Sequence, residues 1–303
     1  MYLTFRQIED LSRVIAGSEF SVRQLSIERV CGWAIHQERS GINCSAGSTK
    51  GHVELTGPVS DQNILIGVAS SAGRPARHFG KSSTSDSLLV YPSGEDQNSY
   101  YGGGVDYAGI SLPAEKLLEV AHREKIDIPA KTLASPISQS ATATVKTSAG
   151  NFIQALKLAE VVSSDEHLED AIDRLICEIV HAISNKQGYA SSTNQYDLLV
   201  RRALELIDDG PNTEINVSYL CNQLSCSRRR FERAFRNELD VSPAQFLQSK
   251  RLMKTRRDIQ IRVRNGQATI AETALANGFY ELGKFAAYYK RMFGELPSDT
   301  ART

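Results

Sequence analysis

The chain has 303 residues and a mass of 33.4 kDa, which suits two domains each able to bury its own core. Apolar residues make up 41 % and charged residues 23 %, which excludes a largely disordered chain. No stretch approaches the about eighteen consecutive apolar residues that a membrane-spanning helix needs. The opening Met1-Tyr2-Leu3-Thr4-Phe5-Arg6 lacks the charged, apolar and small-residue blocks of a secretory signal, so a cytoplasmic location is expected. Five cysteines, an odd number with no CxxC pair, argue against a disulfide framework and against a structural zinc. The net charge of zero hides an asymmetry. From Tyr196 onward there are 18 Lys and Arg against 13 Asp and Glu, a balance of +5, so the preceding part carries −5. A basic module joined to an acidic one places any polyanion contact in the C-terminal part.

In chain order, residues 20–26, 29–37, 52–55, 63–69, 87–91 and 105–112 read as short strands separated by turn signals at Pro58, Gly73, Pro92-Ser93-Gly94 and Gly102-Gly103-Gly104. They predict an antiparallel β-sandwich or small barrel. After Pro113 the pattern turns helical over 114–125, 148–162 and 165–185. The last carries a stripe of Leu168, Ile172, Leu175, Ile176, Ile179, Val180 and Ile183, which suits either a dimer seam or packing against the domain's own sheet. A polar stretch, 187–193, then marks a boundary. The predicted organisation is a domain over 1–190 and a second over 196–303.

The second domain reads as helical throughout. A helix over 196–209 stops at Gly210-Pro211, and a short one over 217–224 follows the Asn216 cap. After a turn at Ser225-Cys226, Ser227 caps a helix with Phe231, Ala234, Phe235 and Leu239 inward and Arg228, Arg229, Arg230, Arg233 and Arg236 outward. A short helix, a tight turn and an amphipathic helix with an arginine-rich face is what reading a major groove requires. A connector helix over 243–262 opens with the Ser242 cap and Pro243, and its Lys250, Arg251, Lys254, Arg256 and Arg257 suit phosphate contact. The plan then repeats, with a short helix beginning at 269–274, a turn at Asn277-Gly278-Phe279 and a reader over 282–293. The two helix-turn-helix units fall at about 217–237 and 269–293.

These landmarks, Cys226 to Phe235, Val241-Ser242-Pro243, Ile270-Ala271-Glu272, Gly278-Phe279, Phe285, Phe293-Gly294 and Pro297, resemble the AraC/XylS family of transcription regulators. The resemblance implies base-facing positions at Ser227, Arg229, Glu232 and Arg233, with Arg228 and Arg230 nearer the phosphates. By the same correspondence the second reader presents Leu282, Gly283, Lys284 and Ala287, where polar or basic side chains are usual. Specificity is therefore expected mainly in the first reader, with Lys284, Lys290 and Arg291 supplying phosphate contacts. Double-stranded promoter DNA, RNA polymerase for an activator, a small-molecule effector and a second copy of the chain are the implied partners.

The N-terminal part looks like the cupin-like effector domain of such regulators, giving an α+β chain overall: a cupin-like antiparallel sandwich or barrel with flanking helices, then an all-α domain. Candidate effector contacts are Trp33, Arg74, Arg77, His78, Tyr91 and Tyr107. Arg74-Pro75-Ala76-Arg77-His78 places three cations in five residues, suited either to an exposed turn or to gripping an anionic metabolite or cyclic dinucleotide. A cupin-type metalloenzyme would need clustered His and carboxylates, and His52-Val53-Glu54 is the nearest approach. No metal, cofactor or catalytic arrangement is indicated. An architectural DNA binder is the non-enzymatic alternative.

Overall fold

The computed structural model describes residues 2–8, 10–11, 20–71, 76–79, 81–83, 86–161, 166–184, 195–209 and 215–302. It forms two compact units. The first comprises Met1–Val22, Cys31–Lys50 and Glu54–Ser192, and the second comprises Arg23–Val30, Gly51–Val53 and Thr193–Thr303.

The strands are β1 (Tyr2–Phe5), β2 (Ser21–Gln24), β3 (Cys31–Arg39), β4 (Ile42–Lys50), β5 (Val53–Pro58), β6 (Ile64–Ser70), β7 (Ala76–His78), β8 (Lys81–Ser83), β9 (Ser87–Tyr91), β10 (Asp96–Tyr101), β11 (Gly104–Leu112) and β12 (Ile137–Ser140). They make a seven-stranded sheet, β1-β3-β4-β11-β6-β9-β12, and a five-stranded sheet, β2-β5-β10-β7-β8. The long pairs β3 with β4, β4 with β11, β11 with β6 and β6 with β9 are antiparallel.

Period-two alternation sorts the residues of the larger sheet. Ile42, Cys44 and Ala46 on β4, Ile64 and Ile66 on β6, Leu88 and Val90 on β9, and Ile110 and Leu112 on β11 enter one apolar core. Helices α1 (Ala114–Arg123), α2 (Ala130–Leu133), α3 (Ala143–Ala159) and α4 (Glu166–Ser184) follow, and residues of all four join that core. The α3 start is fixed by Thr142, whose hydroxyl accepts from the Val145 N–H at 3.2 Å. The α4 stripe from Leu168 to Ile183 is 0 to 5 % exposed within the single chain. That surface closes the domain's own core, each such side chain contributing about 1.5–3 kcal/mol by leaving water.

Strand β4 departs from the sequence reading, which has a gap there. Its alternate residues Asn43, Ser45 and Gly47 are small or polar, so the segment lacks the apolar and β-branched density that marks a strand. Strands β1, β7, β8, β10 and β12 are likewise additions, and β10 runs Asp-Gln-Asn-Ser before its two tyrosines.

The second unit holds α5 (Gln195–Asp209), α6 (Val217–Gln223), α7 (Arg228–Leu239), α8 (Pro243–Asp258), a π-helical turn over Ile259–Val263, α9 (Ile270–Ala276), α10 (Leu282–Phe293) and α11 (Pro297–Arg302). Helix α8 opens with a reciprocal box between Ser242 and Gln245 behind Pro243. Phe231 and Phe235 meet in a tilted pair at 4.8 Å, and Phe235 meets Phe246 edge to face at 5.8 Å, joining α7 to α8. A second core gathers Leu252, Ile259, Ala274, Phe285, Tyr289, Met292 and Phe293 around Ile27, which is only 6 % exposed.

Ile27 arrives on the segment Arg23–Val30, which belongs to this unit although it lies far upstream in sequence. Arg23 donates to both Asp208 carboxylate oxygens at 3.1 and 3.2 Å. The Ser249 hydroxyl reaches the Gln24 carbonyl at 3.5 Å, and Glu28 pairs with Arg291 at 3.6 Å.

Candidate nucleic-acid interface and an internal cavity

The first reader is a helix whose two faces are separated by its sequence spacing. Phe231, Ala234, Phe235 and Leu239 are buried, while Ser227, Arg228, Arg229, Arg230, Arg233 and Arg236 are exposed. Its N-terminus is set by Ser227, whose hydroxyl accepts from the Arg230 N–H at 3.3 Å. The preceding turn bends through Ser225 at φ 49°, and the end closes on Asp240 in the left-handed region at φ 53°. Glu232 is half-buried and accepts from Arg228 Nε at 2.9 Å. The structure therefore leaves all six positions expected of this reader exposed or half-buried, outside the phenylalanine core. Glu232 and Arg228 hold each other there as an i,i+4 pair.

The second reader repeats the plan with different chemistry. Thr269 and Glu272 form a reciprocal cap on α9, the Glu272 carboxylate accepting from the Thr269 N–H at 2.7 Å. That hydrogen bond holds the Glu272 pKa below the usual carboxylate value. The turn passes through Gly278 at φ 82°. Leu282, Gly283, Lys284, Ala287, Lys290 and Arg291 are all exposed on α10. Lys284 is paired with Glu281 at 2.8 Å and Arg291 with Glu28 at 3.6 Å. Tyr280, which the sequence reading passes over, stands 81 % exposed just before this helix.

The connector cations are mostly spent inside the protein, which corrects the expectation that they face phosphates. Lys250 bonds the Ile207 carbonyl and Asp208, and Arg251 donates to the Ile215 carbonyl at 2.8 Å. Lys254 donates to Asn277 Oδ1 at 2.9 Å, while Asn277 Nδ2 donates to Asp258 and to the Thr273 carbonyl. Arg256 is buried against the Phe293 ring at 4.5 Å and pairs with Glu295 at 3.1 Å. These contacts fix α8 to the end of α5, to the segment before α6, to the turn after α9 and to α10, while Arg257 on the same helix is exposed.

In the first unit a cavity of about 590 Å³ lies between the two sheets, within the usual range for small-ligand sites. Tyr91 and Tyr107 line it, as do Tyr101, Asn43 and Gln97, which the sequence reading did not single out. Trp33 is elsewhere, stacked on Tyr2 at 6.1 Å with Lys157 Nζ 4.1 Å over its ring. Arg77 and His78 are not lining residues either. Both sit on β7, between β10 and β8, where Arg77 is buried over the Tyr100 ring at 5.8 Å. His78 is fully buried, its Nδ1 3.1 Å from the Ser99 hydroxyl, and burial pushes its pKa down to about 4. The expected cationic grip is thus not assembled by these two, because a strand inside the smaller sheet packs them away. Arg74 lies outside the described residues.

Among the described residues no group of three or more His, Cys, Asp and Glu is placed to hold a metal ion. His52 is engaged with the Ser26 hydroxyl at 3.3 Å and Asp240 at 3.5 Å. No helix among the described residues is long and apolar enough to cross a membrane.

A helix-turn-helix domain profile matches residues 220–303. The chain is 30 % identical over 105 residues to the probable thc operon regulatory protein of Rhodococcus erythropolis, covering 35 % of this chain and 31 % of that one. It is 26 % identical over 135 residues to the XylDLEGF operon transcriptional activator 2 of Pseudomonas putida, covering 45 % of this chain and 83 % of that one. The match thus spans under a third of the Rhodococcus protein. The crystal structure of the AraC-like transcriptional activator CuxR aligns over 85 % of this chain and 96 % of its own, at 10 % identity and a TM-score of 0.39, too distant to carry function. With two helix-turn-helix units on one connector, the C-terminal part of the chain is thus similar to the DNA-binding part of AraC/XylS-type transcription regulators.

Proposed function

We propose that the chain is a sequence-specific regulator of transcription, an activator that binds promoter double-stranded DNA through α7 and α10 and works with RNA polymerase. The observation that carries this reading is the exposed arginine face of α7, held on a phenylalanine core and started by the Ser227 cap. Arg229 and Arg233 supply the base contacts, since guanidinium forks match the acceptor edge of guanine. Lys284, Lys290 and Arg291 on α10 supply phosphate attraction. The first unit senses a small molecule in the cavity between its sheets, and pairing into a homodimer must use a face other than the α4 stripe, which is covered.

The test is fluorescence anisotropy of the purified chain on its own upstream region against random duplex, over a range of salt and with cell extract supplying small molecules. A discrete preference that Arg229→Ala and Arg233→Ala erode is expected. Equal binding to both duplexes at every salt concentration would remove the proposal.

A further inference from the structure

Resting on the reading of the first unit as the sensing part, we infer that its cavity takes an uncharged, hydroxylated aromatic compound, selected by the Tyr107 hydroxyl. Tyr107 is directly opposite Gly47 in the pairing of β11 with β4. A Cβ on Gly47 would stand 2.6 Å from the Tyr107 ring, so the missing side chain is the space in which that ring lies. The phenol is thereby seated on a sheet and aimed by the backbone rather than by a flexible loop. Among the described residues its hydroxyl has no hydrogen-bond partner, and its pKa is pushed up to about 12 by burial alone. A cavity-lining hydroxyl of this kind gains most from a ligand that supplies the missing partner.

The surroundings set the charge of that ligand. Tyr91 is tied through the Ser99 hydroxyl at 2.6 Å to His78, and burial holds this relay neutral. The remaining polar contributions include the amides of Asn43, Asn63 and Gln97. Besides the tyrosines, the ionisable lining groups among the described residues are His36 and Asp61. Asp61 is an exposed carboxylate on the loop after β5, which the bonds of Val59 N–H to Glu95 and Gly94 N–H to Ser60 tie to the loop after β9. An anion entering past that carboxylate is repelled and then meets phenols and amides, which do not offset the loss of its hydration. A phenol or aromatic alcohol loses little hydration, offsets its ring against the tyrosines and offers a hydroxyl to Tyr107.

The experiment uses the full chain in calorimetric titration and thermal shift with two probes of matched shape, a dihydroxybiphenyl and the corresponding hydroxybiphenyl carboxylate. The diphenol is expected to raise the melting temperature and to bind at least tenfold tighter than the carboxylate. Tyr107→Phe should weaken the diphenol about 3- to 10-fold with the melting temperature of the free protein little changed, as expected for one neutral hydrogen bond. Gly47→Ala should weaken it further by displacing the ring. Tighter binding of the carboxylate, unchanged binding by Tyr107→Phe, or binding of neither probe overturns the inference. Anisotropy on the upstream duplex in the same preparation separates the two readings, because intact DNA preference beside failed ligand binding leaves the regulator standing and removes only the ligand.

Discussion

Helices α7 and α10 are each 12 residues long and place their core residues at the same steps, Phe231, Phe235 and Leu239 in one and Phe285, Tyr289 and Phe293 in the other. Each also ends in a left-handed residue, Asp240 or Gly294. Their outer faces diverge. Where α7 shows Arg229, Arg233 and Arg236, the matching steps of α10 show Gly283, Ala287 and Lys290. Where Ser227 caps α7, Glu281 precedes α10 with no side-chain cap and bonds Lys284 instead. Shared inward spacing with unlike outward chemistry means that the fold needs both helices while, on the proposed function, base recognition needs chiefly one. The second helix also leans on an upstream segment, through Ile27 and Glu28.

The largest effect that would break this comparison is on stability. Ile27→Ala should cost about 2–4 kcal/mol, as large-to-small changes in cores do, with hydrogen exchange rising in α10 well before α7. Equal loss of protection in both helices would mean that they share one core. Next in size, Arg233→Ala should cost about 1–3 kcal/mol of operator binding and relax the preference at one position, while Lys284→Ala weakens all duplexes alike. Retained preference in the Arg229 and Arg233 variants, with altered preference on replacing Ala287, would reverse the assignment of the two readers.

Smaller effects sharpen the same contrast. Glu28→Gln should free Arg291 for phosphate, tightening binding by less than about threefold and steepening the salt dependence by about one phosphate's worth. The smallest is a pH effect confined to the second unit of the pair. Because the Glu272 pKa is lowered on folding, its contribution is complete above the unfolded carboxylate value and is lost as pH falls through the lower folded value. Carbon-detected titration of Glu272 should show that depressed midpoint, and the caps at Asn216 and Ser227, being neutral, should show no matching loss.

Much of this was legible in the residues because local chemistry and tertiary role agree in the helical part. Caps such as Ser227, Ser242 and Thr269 and the phenylalanine spacing place the helices to within a few residues. The roles of the connector's cations are not legible in sequence, because a lysine or arginine looks the same whether it meets a phosphate or the carbonyl of Ile215. Strand β4 escaped notice because its inner face is emptied of bulk to admit Tyr107, so the feature that builds the cavity erases the pattern that signals a strand. Long-range partners such as Glu28 for Arg291 leave no local trace.

The presence of Ile27 among the aromatic residues of α10 has a practical corollary for dissecting this polypeptide. A fragment begun at the polar stretch near residue 193 omits a piece that fills its interior, and grafting the tail onto an unrelated sensor leaves the same vacancy. Covalent order along the gene product and physical membership in a folded body differ here, so a transplant must carry residues 23–30 with it.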